Sequence, residues 1–451
     1  MKKITLASVI LLATGCAYQP NNYDVTMVLP QQLSAEQTAP LVSDAELTWW
    51  LQFNSAQLNQ LMAELNSTNL TIEAAQLRLN KSKSLLAQQQ ADFWPSVSGR
   101  ASHRSSHSFE DSSTSSSSGF GVSAGYEVDL WGARDAANAS AELSVLASQQ
   151  QLASVQLQLQ TQLAGQYFYH LSLLRRFDVS KQNLQAGESL LKLIKAQFEA
   201  GSVSGIEVNQ QTNSLLSAQN QLMSVERDIT VSHRAIAVLL GQSDMQINLA
   251  NENIDTLTVP QVALVQSAQL LMQRPDIRIA QTQLQLQDAN LYQTEQRKWP
   301  SLSISADLSA SDLLALGNAW SGALSAGLSM PIFNAGKIDQ QIEAAKTDVQ
   351  IALVDYRDTV VQAVKETLDS LTELEYQKNL YQLRLQELDN NQQLYNLAQI
   401  RFDSGDTDFI NLLNAQRSWF NAKLTFASAK RDMLQANIDV FRALAGMPAV
   451  M

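Results

Sequence analysis

The sequence predicts an α+β membrane protein, internally duplicated, in which a few antiparallel strands are continued by very long helices. Three observations carry this expectation. Landmarks recur in the same order about 205 residues apart. Short segments alternate apolar and polar residues, the pattern of strands set between an apolar and a wet surface. The stretches between them run for tens of residues with almost no glycine or proline.

Taken in chain order, Lys2 and Lys3 precede a mostly apolar run, Ile4 to Ala13, and Thr14-Gly15-Cys16 follow. This is the layout of a bacterial secretory leader, expected over residues 1–15. Small residues before a lone cysteine resemble a lipobox, in which the cysteine is acylated; Ala13 stands where that motif usually has Leu. Cys16 is therefore the expected attachment point for S-diacylglycerol and N-palmitoyl groups, and Ala17 after it favours outer-membrane delivery by the same resemblance. As the sole cysteine it excludes a disulfide within the chain. Residues 16–54 read as a lipid-anchored tether, because Pro20, Pro30 and Pro40 interrupt any helix. Trp49, Trp50 and Phe53 would staple that tether to the folded body.

The first repeat is expected over 55–241 and the second over 263–446, with 242–262 linking them and 447–451 as a tail. Phe93-Trp94-Pro95-Ser96 answers Lys298-Trp299-Pro300-Ser301, Ile72 to Gln76 answers Ile277 to Gln281, and Leu239-Leu240-Gly241 answers Leu444-Ala445-Gly446. Leu130-Trp131-Gly132 matches Ile332-Phe333-Asn334, and Gln197 to Gly201 matches Arg401 to Gly405. Strands are expected at about 95–109 and 119–131 in one copy and 300–310 and 319–332 in the other. Phe120, Val122, Ala124, Tyr126 and Val128 alternate with polar or small residues, as do Leu302, Ile304, Ala306 and Leu308. The serine-rich stretch 111–119 and the stretch 311–318 read as hairpin loops.

The remainder reads as helix. Lys337 to Ser404 contains neither Gly nor Pro, and its 68 residues would make a helix of roughly 100 Å. Uncapped periodicity of that length implies a coiled coil. Leu58 to Phe93 and Ile206 to Leu240 are about half as long and could lie alongside the long helices. Gly201 and Gly405 then mark turns at the tip far from the strands.

Composition excludes several classes. The net charge of −12 argues against nucleic acid, and the charged fraction of 16% is low, with Gln, Ser and Asn supplying the polar surface. No apolar run reaches about 18 residues, so any membrane span must be made of strands. No nucleophile–base order, P-loop or phosphate cradle is present, so neither enzyme activity nor a cofactor is expected. His103 and His107 share a strand face but have only Glu110 and Asp111 nearby; they read as barrel-rim residues, not as a metal site. His170 and His233 read as packing residues.

Four strands per chain cannot close, and an open edge in lipid leaves backbone groups unsatisfied. A barrel shared between chains is required: two chains would give eight strands, three would give twelve and room for a lumen. At this point the chain resembles the TolC/OprM-type outer-membrane factor family. The residues that carry the resemblance are the lipobox, the duplicated unit, Trp-Pro-Ser before each first strand, Asp129-Leu130-Trp131-Gly132, and Gly405 followed by Leu412 to Ser418. The resemblance implies a homotrimer with a twelve-stranded barrel in the bacterial outer membrane and a helical barrel in the periplasm. It implies an exit duct partnered by a periplasmic adaptor and an inner-membrane pump of RND or ABC type, carrying small molecules such as drugs. A type I protein-secretion duct and a lipid-anchored coiled-coil scaffold remain alternatives. The acidic ring that family members carry after the second tip glycine falls here on Asn411 and Asn414, with Asp406 and Asp408 nearer the tip. Arg417 matches a position that ties neighbouring helices by a salt bridge, and Gly201, Gly205 and Gly405 lie in the adaptor-facing turns.

Overall fold

The computed structural model describes residues 18–21, 23, 48–249, 252–260, 271–311 and 319–444. The expected leader, Cys16, most of the tether, the second hairpin loop and the tail 447–451 lie outside the described residues. The elements run α1 (Ala56–Thr68), α2 (Leu70–Ala91), β1 (Ser96–His107), β2 (Thr114–Val128), α3 (Ala133–Glu199), α4 (Gly205–Leu239), α5 (Pro275–Gln296), β3 (Ser301–Ser311), β4 (Ala319–Ser329), α6 (Lys337–Asp403) and α7 (Phe409–Ala443). Short 3₁₀ turns cover Trp49–Phe53 and Ile254–Thr256. No described helix is long and apolar enough to cross a membrane.

The chain divides into two compact units. One comprises Gln76–Gln151 and Arg278–Thr359 with the described residues 18–21 and 23. Its strands form one antiparallel sheet in the order β1-β2-β3-β4. The register aligns the alternation of all four strands. Val122 opposes Leu308, Tyr126 opposes Ile304 and Val128 opposes Leu302. On the other side of β3, Leu302 opposes Leu328, Ala306 opposes Leu324 and Ala310 opposes Trp320. Because side chains alternate with period two, these residues share one apolar face, while Ser303, Ser305, Asp307 and Ser309 share the other. The apolar face is bare: Leu324 is 80% exposed and Leu328 69%.

The strand boundaries follow from local chemistry. Trp94 N–H donates to Ala91 O and Trp299 N–H to Gln296 O, both at 3.0 Å, closing a last tight turn before Pro95 and Pro300. Proline excludes its predecessor from helix, so each strand begins just beyond. β2 ends at Val128, short of the expected 131, so Asp129, Leu130 and Trp131 are not strand. The Asp129 carboxylate instead accepts from the N–H groups of Ala133, Arg134 and Asp135 at 3.0, 2.9 and 3.2 Å, capping α3, and Gly132 takes φ +73°. Likewise β4 stops at Ser329, two residues short of Pro331. The serine-rich stretch is mostly strand, not loop: Ser115, Ser116, Ser117 and Ser118 pair with Ser106, Ser105, Arg104 and His103. Serine has no apolar period to betray a strand, and only 108–113 form the turn, with Ser108 N–H donating to Ser113 O at 2.9 Å.

The other unit comprises the described parts of Val28–Ala75, Leu152–Ile277 and Val360–Met451. Trp49 and Phe53, 1% and 0% exposed, sit in its core beside Leu58, Met62, Phe168, Ile236 and Phe441. Trp49 stacks on Phe441 with centroids 5.6 Å apart. Burying a side chain of this size contributes about 1.5–3 kcal/mol, so the expected staple is a principal core element. The single helix expected from Leu58 onward breaks at Asn69. That residue leaves helical backbone (φ −70°, ψ 121°), accepts from Thr71 and Ile72 N–H, and donates its amide to Leu239 O at 2.7 Å. Neither Gly nor Pro announces the break. Gly241 closes the same junction at φ +70°, where a Cβ would lie 2.6 Å from Thr68 O.

Candidate functional site

The two helix-to-helix turns, α3 to α4 and α6 to α7, are built alike within the second unit. Ser202 N–H donates to Gln197 O and Asp406 N–H to Arg401 O, both at 2.8 Å. Gly201 and Gly405 stand at φ +74° and +77°. These are Schellman closures, in which the left-handed residue favours glycine. Nothing lies within 4 Å of a Cβ at either glycine, so backbone angle alone demands them. Gly205 differs: it is simply the first residue of α4, behind Ser204, and has no positive φ.

Each following helix opens on a side-chain cap. Ser204 Oγ accepts from Ile206 N–H, and Glu207 returns by accepting from Ser204 N–H at 2.9 Å. Asp408 Oδ1 accepts from Asn411 N–H at 3.1 Å, and the Asn411 amide donates to Thr407 Oγ1 at 3.0 Å. The duplication makes Glu207 the counterpart of Asn411. An acidic residue therefore does stand at this level, on the first tip and not the second, and reading the second copy alone missed it. The Ser204 hydroxyl holds the Glu207 carboxyl below its ordinary range. Asp406 and Asp408 are exposed and Glu207 is half-buried, so the tips present carboxylates.

Behind the turns, Ile194, Phe409 and Leu413 form a small core with Leu190, Val203, Val208 and Phe402, joining all four helix ends. On α7 the buried face is Leu412, Leu413, Ala415, Gln416 and Phe420, which leaves Asn411, Asn414 and Arg417 aligned three residues apart on the exposed face. Arg417 Nε reaches Ser214 Oγ on α4 at 3.5 Å and has no ion pair among the described residues. The salt bridge that the resemblance implies is thus not made among the chain's described residues. Further along the hairpin, Tyr395 on α6 stacks on Trp419 on α7 at 4.8 Å and 12°. Lys423 Nζ lies 3.8 Å from the Trp419 ring centroid and donates to Gln182 on α3 at 3.2 Å.

The remaining candidates have ordinary partners. His103 Nδ1 is bonded to Ser118 Oγ and His107 Nδ1 to Thr114 Oγ1, both at 2.9 Å across the β1–β2 pair. Among the described residues no group of three or more His, Cys, Asp or Glu could hold a metal ion.

Comparison with known proteins places this geometry. The model of the outer membrane efflux protein family matches residues 61–242 and 267–446. The pyoverdine export outer membrane protein OpmQ of Pseudomonas aeruginosa is 28% identical over 464 residues, covering 99% of this chain and 97% of its own. The cation efflux system protein CusC of Escherichia coli is 24% identical over 447 residues, covering 97% of this chain and 98% of its own. A solved CusC structure superposes with a TM-score of 0.84 at 22% identity over 96% of this chain and 99% of its own. The open state of the Neisseria gonorrhoeae outer membrane channel MtrE gives 0.84 at 20% identity over 95% and 98%.

Proposed function

Because this chain belongs to the outer membrane efflux protein family, we propose that it is the passive exit duct of a tripartite efflux system and that it works as a homotrimer. The observation that carries this reading is the sheet. Four strands with one apolar and one polar face, and with β1 and β4 each unpaired on one side among the described residues, fit a third of a barrel between lipid and water. Cys16 carries the lipid that tethers the chain to the outer membrane. A periplasmic adaptor meets the turns at Gly201, Gly205 and Gly405, and an inner-membrane pump of RND or ABC type supplies the energy. The relatives' names, pyoverdine export and cation efflux, favour small-molecule cargo over secreted protein.

The entrance lies at the two tips. Asn411, Asn414 and Arg417 form the exposed stripe of α7 just behind the second turn, and Asp406, Asp408 and Glu207 give the opening a negative collar. Such a collar concentrates cations and repels anions at the mouth. Opening parts neighbouring α6–α7 hairpins at this level. With Cys16 acylated, cysteines introduced at Asn411 and Asn414 are the free thiols of the protein. A short, reductant-cleavable crosslinker across them is expected to abolish single-channel conductance in planar bilayers, and reduction to restore it. Conductance indifferent to the crosslink places the entrance elsewhere. Arg417→Glu is expected to raise conductance by loosening adjacent hairpins.

A further inference from the structure

Asp288 lies at the middle of α5, 1% exposed. Aspartate is a poor helix-interior residue, and here it caps nothing. Its carboxylate is filled from the other end of the chain. Tyr18 Oη donates to Oδ2 at 2.9 Å, and Asn21 N–H donates to the same oxygen at 3.0 Å. The Asn21 amide donates to Oδ1 at 2.7 Å and Tyr23 Oη to Oδ1 at 2.5 Å. A carboxylate offers about four lone-pair sites, so this one is saturated. Burial pushes the Asp288 pKa up, but the donated bonds outweigh it and hold the group below its ordinary range; the same arrangement pushes Tyr23 up to about 12.

The contacts continue from the segment towards the strands. The Tyr18 ring meets Tyr292 edge-on at 5.3 Å, and Tyr292 Oη donates to Trp131 O at 3.0 Å. Trp131 Nε1 donates to Pro300 O at 2.7 Å, and its ring lies 5.5 Å from Trp299. Trp131 follows β2 and Pro300 precedes β3. Tyr23 packs beside the cluster of Leu284, Val349 and Ala352. The duplication supplies a control within the chain. The counterpart of Asp288 in the first copy is Lys83, exposed, and that of Tyr292 is Ala87. A chain has one N-terminal segment and only the second copy is built to receive it.

We propose that Asp288 is a docking site for the chain's own N-terminal segment, and that the docked segment braces the roots of β2 and β3. Withdrawal of Tyr18, Asn21 and Tyr23 would take all four of these donors from the carboxylate at once, so the docked state is the one this helix is built around. The proposal extends the lipid-anchor reading in one respect. Two peptide units separate Cys16 from Tyr18, so an acyl group on Cys16 is held within about 7 Å of backbone from the clamp.

The test is hydrogen exchange on the full mature chain in detergent, with the mass of the N-terminal peptide read in parallel. Asp288→Ala is expected to speed exchange in a peptide spanning 17–24 by about ten- to a hundredfold, the loss expected when bonds to a charged group are removed. Peptides at 129–132 and 299–303 should also quicken, while the core peptide 163–171 keeps its rate. Unchanged exchange at 17–24 overturns the clamp, and unchanged exchange at the strand roots overturns the brace. Should Asp288→Ala fail to fold, the double variant Tyr18→Phe, Tyr23→Phe removes two of the donors; exchange at 17–24 must rise, and no rise refutes the proposal. Cys16→Ser is expected to leave 17–24 protected, and loss of protection there would mean that lipid, not Asp288, holds the segment. An unacylated Cys16 in the wild-type peptide removes the lipid-positioning clause alone. Conductance is a separate readout, so failure of the duct reading cannot be mistaken for failure of the clamp.

Discussion

His170 has 4% of its surface exposed, and its Nδ1 has no hydrogen-bond partner. Burial pushes its pKa down to about 4, helped by His233, whose ring lies 6.4 Å away and bonds to Ile247 O. In the unfolded chain the ring titrates near 6.5. The folded pKa is the lower, so the stability it contributes is fully present above pH 6.5 and is lost as pH falls towards 4. The whole loss is on the order of 3 kcal/mol. His170→Phe keeps a ring of similar volume and removes the proton, so the drop in thermal stability between pH 6.5 and 4 should flatten; an unchanged slope would assign the acid sensitivity to other groups. The sequence made His170 a packing residue, which its place in the structure bears out, but burial was not readable from a lone histidine in a helix. Gly201 and Gly405 were legible because a glycine ending a long uninterrupted helix has a backbone reason to be there. Asp288 and Glu207 were not legible. The donors of Asp288 lie more than 260 residues away in sequence, and Glu207 emerges as the partner level of Asn411 only when the two copies are superposed on their shared turn.

At the scale of elements, the hairpin α6–α7 must move as one body if its tip is to gate. The stack of Tyr395 on Trp419 and the Lys423 ammonium over the same indole bind the two helices, and the bond from Lys423 to Gln182 adds α3. An aromatic pair contributes about 0.5–1.5 kcal/mol beyond area burial, and a cation over an indole about 0.5–1 kcal/mol at a partly exposed site. Trp419→Ala is therefore expected to cost about 2 kcal/mol, seen as a lower unfolding temperature in detergent. It should also raise leak conductance, since α6 and α7 then separate independently. Trp419→Phe, which preserves a stacking ring, should recover most of both effects. The alternating strands were legible because apolar period two survives in β2, β3 and β4. The early start of β2 and the break between α1 and α2 were not. A run of serines carries no period, and Asn69 breaks its helix through a bond to Leu239 O that no local pattern announces.

For the whole molecule, the duplication and the strand count point the same way. The apolar face of the sheet, with Leu324, Leu328 and Val97 at 69–80% exposure, would cost about 25 cal/mol for each Å² held against water. Lipid removes that cost, but lipid cannot satisfy the free backbone edges of β1 and β4. Only copies of the same sheet offer matching edges, so β4 of one subunit should pair with β1 of the next. A ring of two gives eight strands, whose interior side chains fill. A ring of three gives twelve and leaves a lumen. Along α4, Leu216, Met223, Val231 and Val238 recur at seven- and eight-residue spacing and are all exposed, the stripe that a coiled-coil neighbour covers. Native mass spectrometry of the detergent-solubilised protein is therefore expected to give three copies. Placing Asp at both Met223 and Val231 should lower the trimer fraction. A stable monomer that still conducts, or a conducting dimer, would refute the shared barrel. A trimer indifferent to the charged stripe would leave the strands alone responsible for assembly.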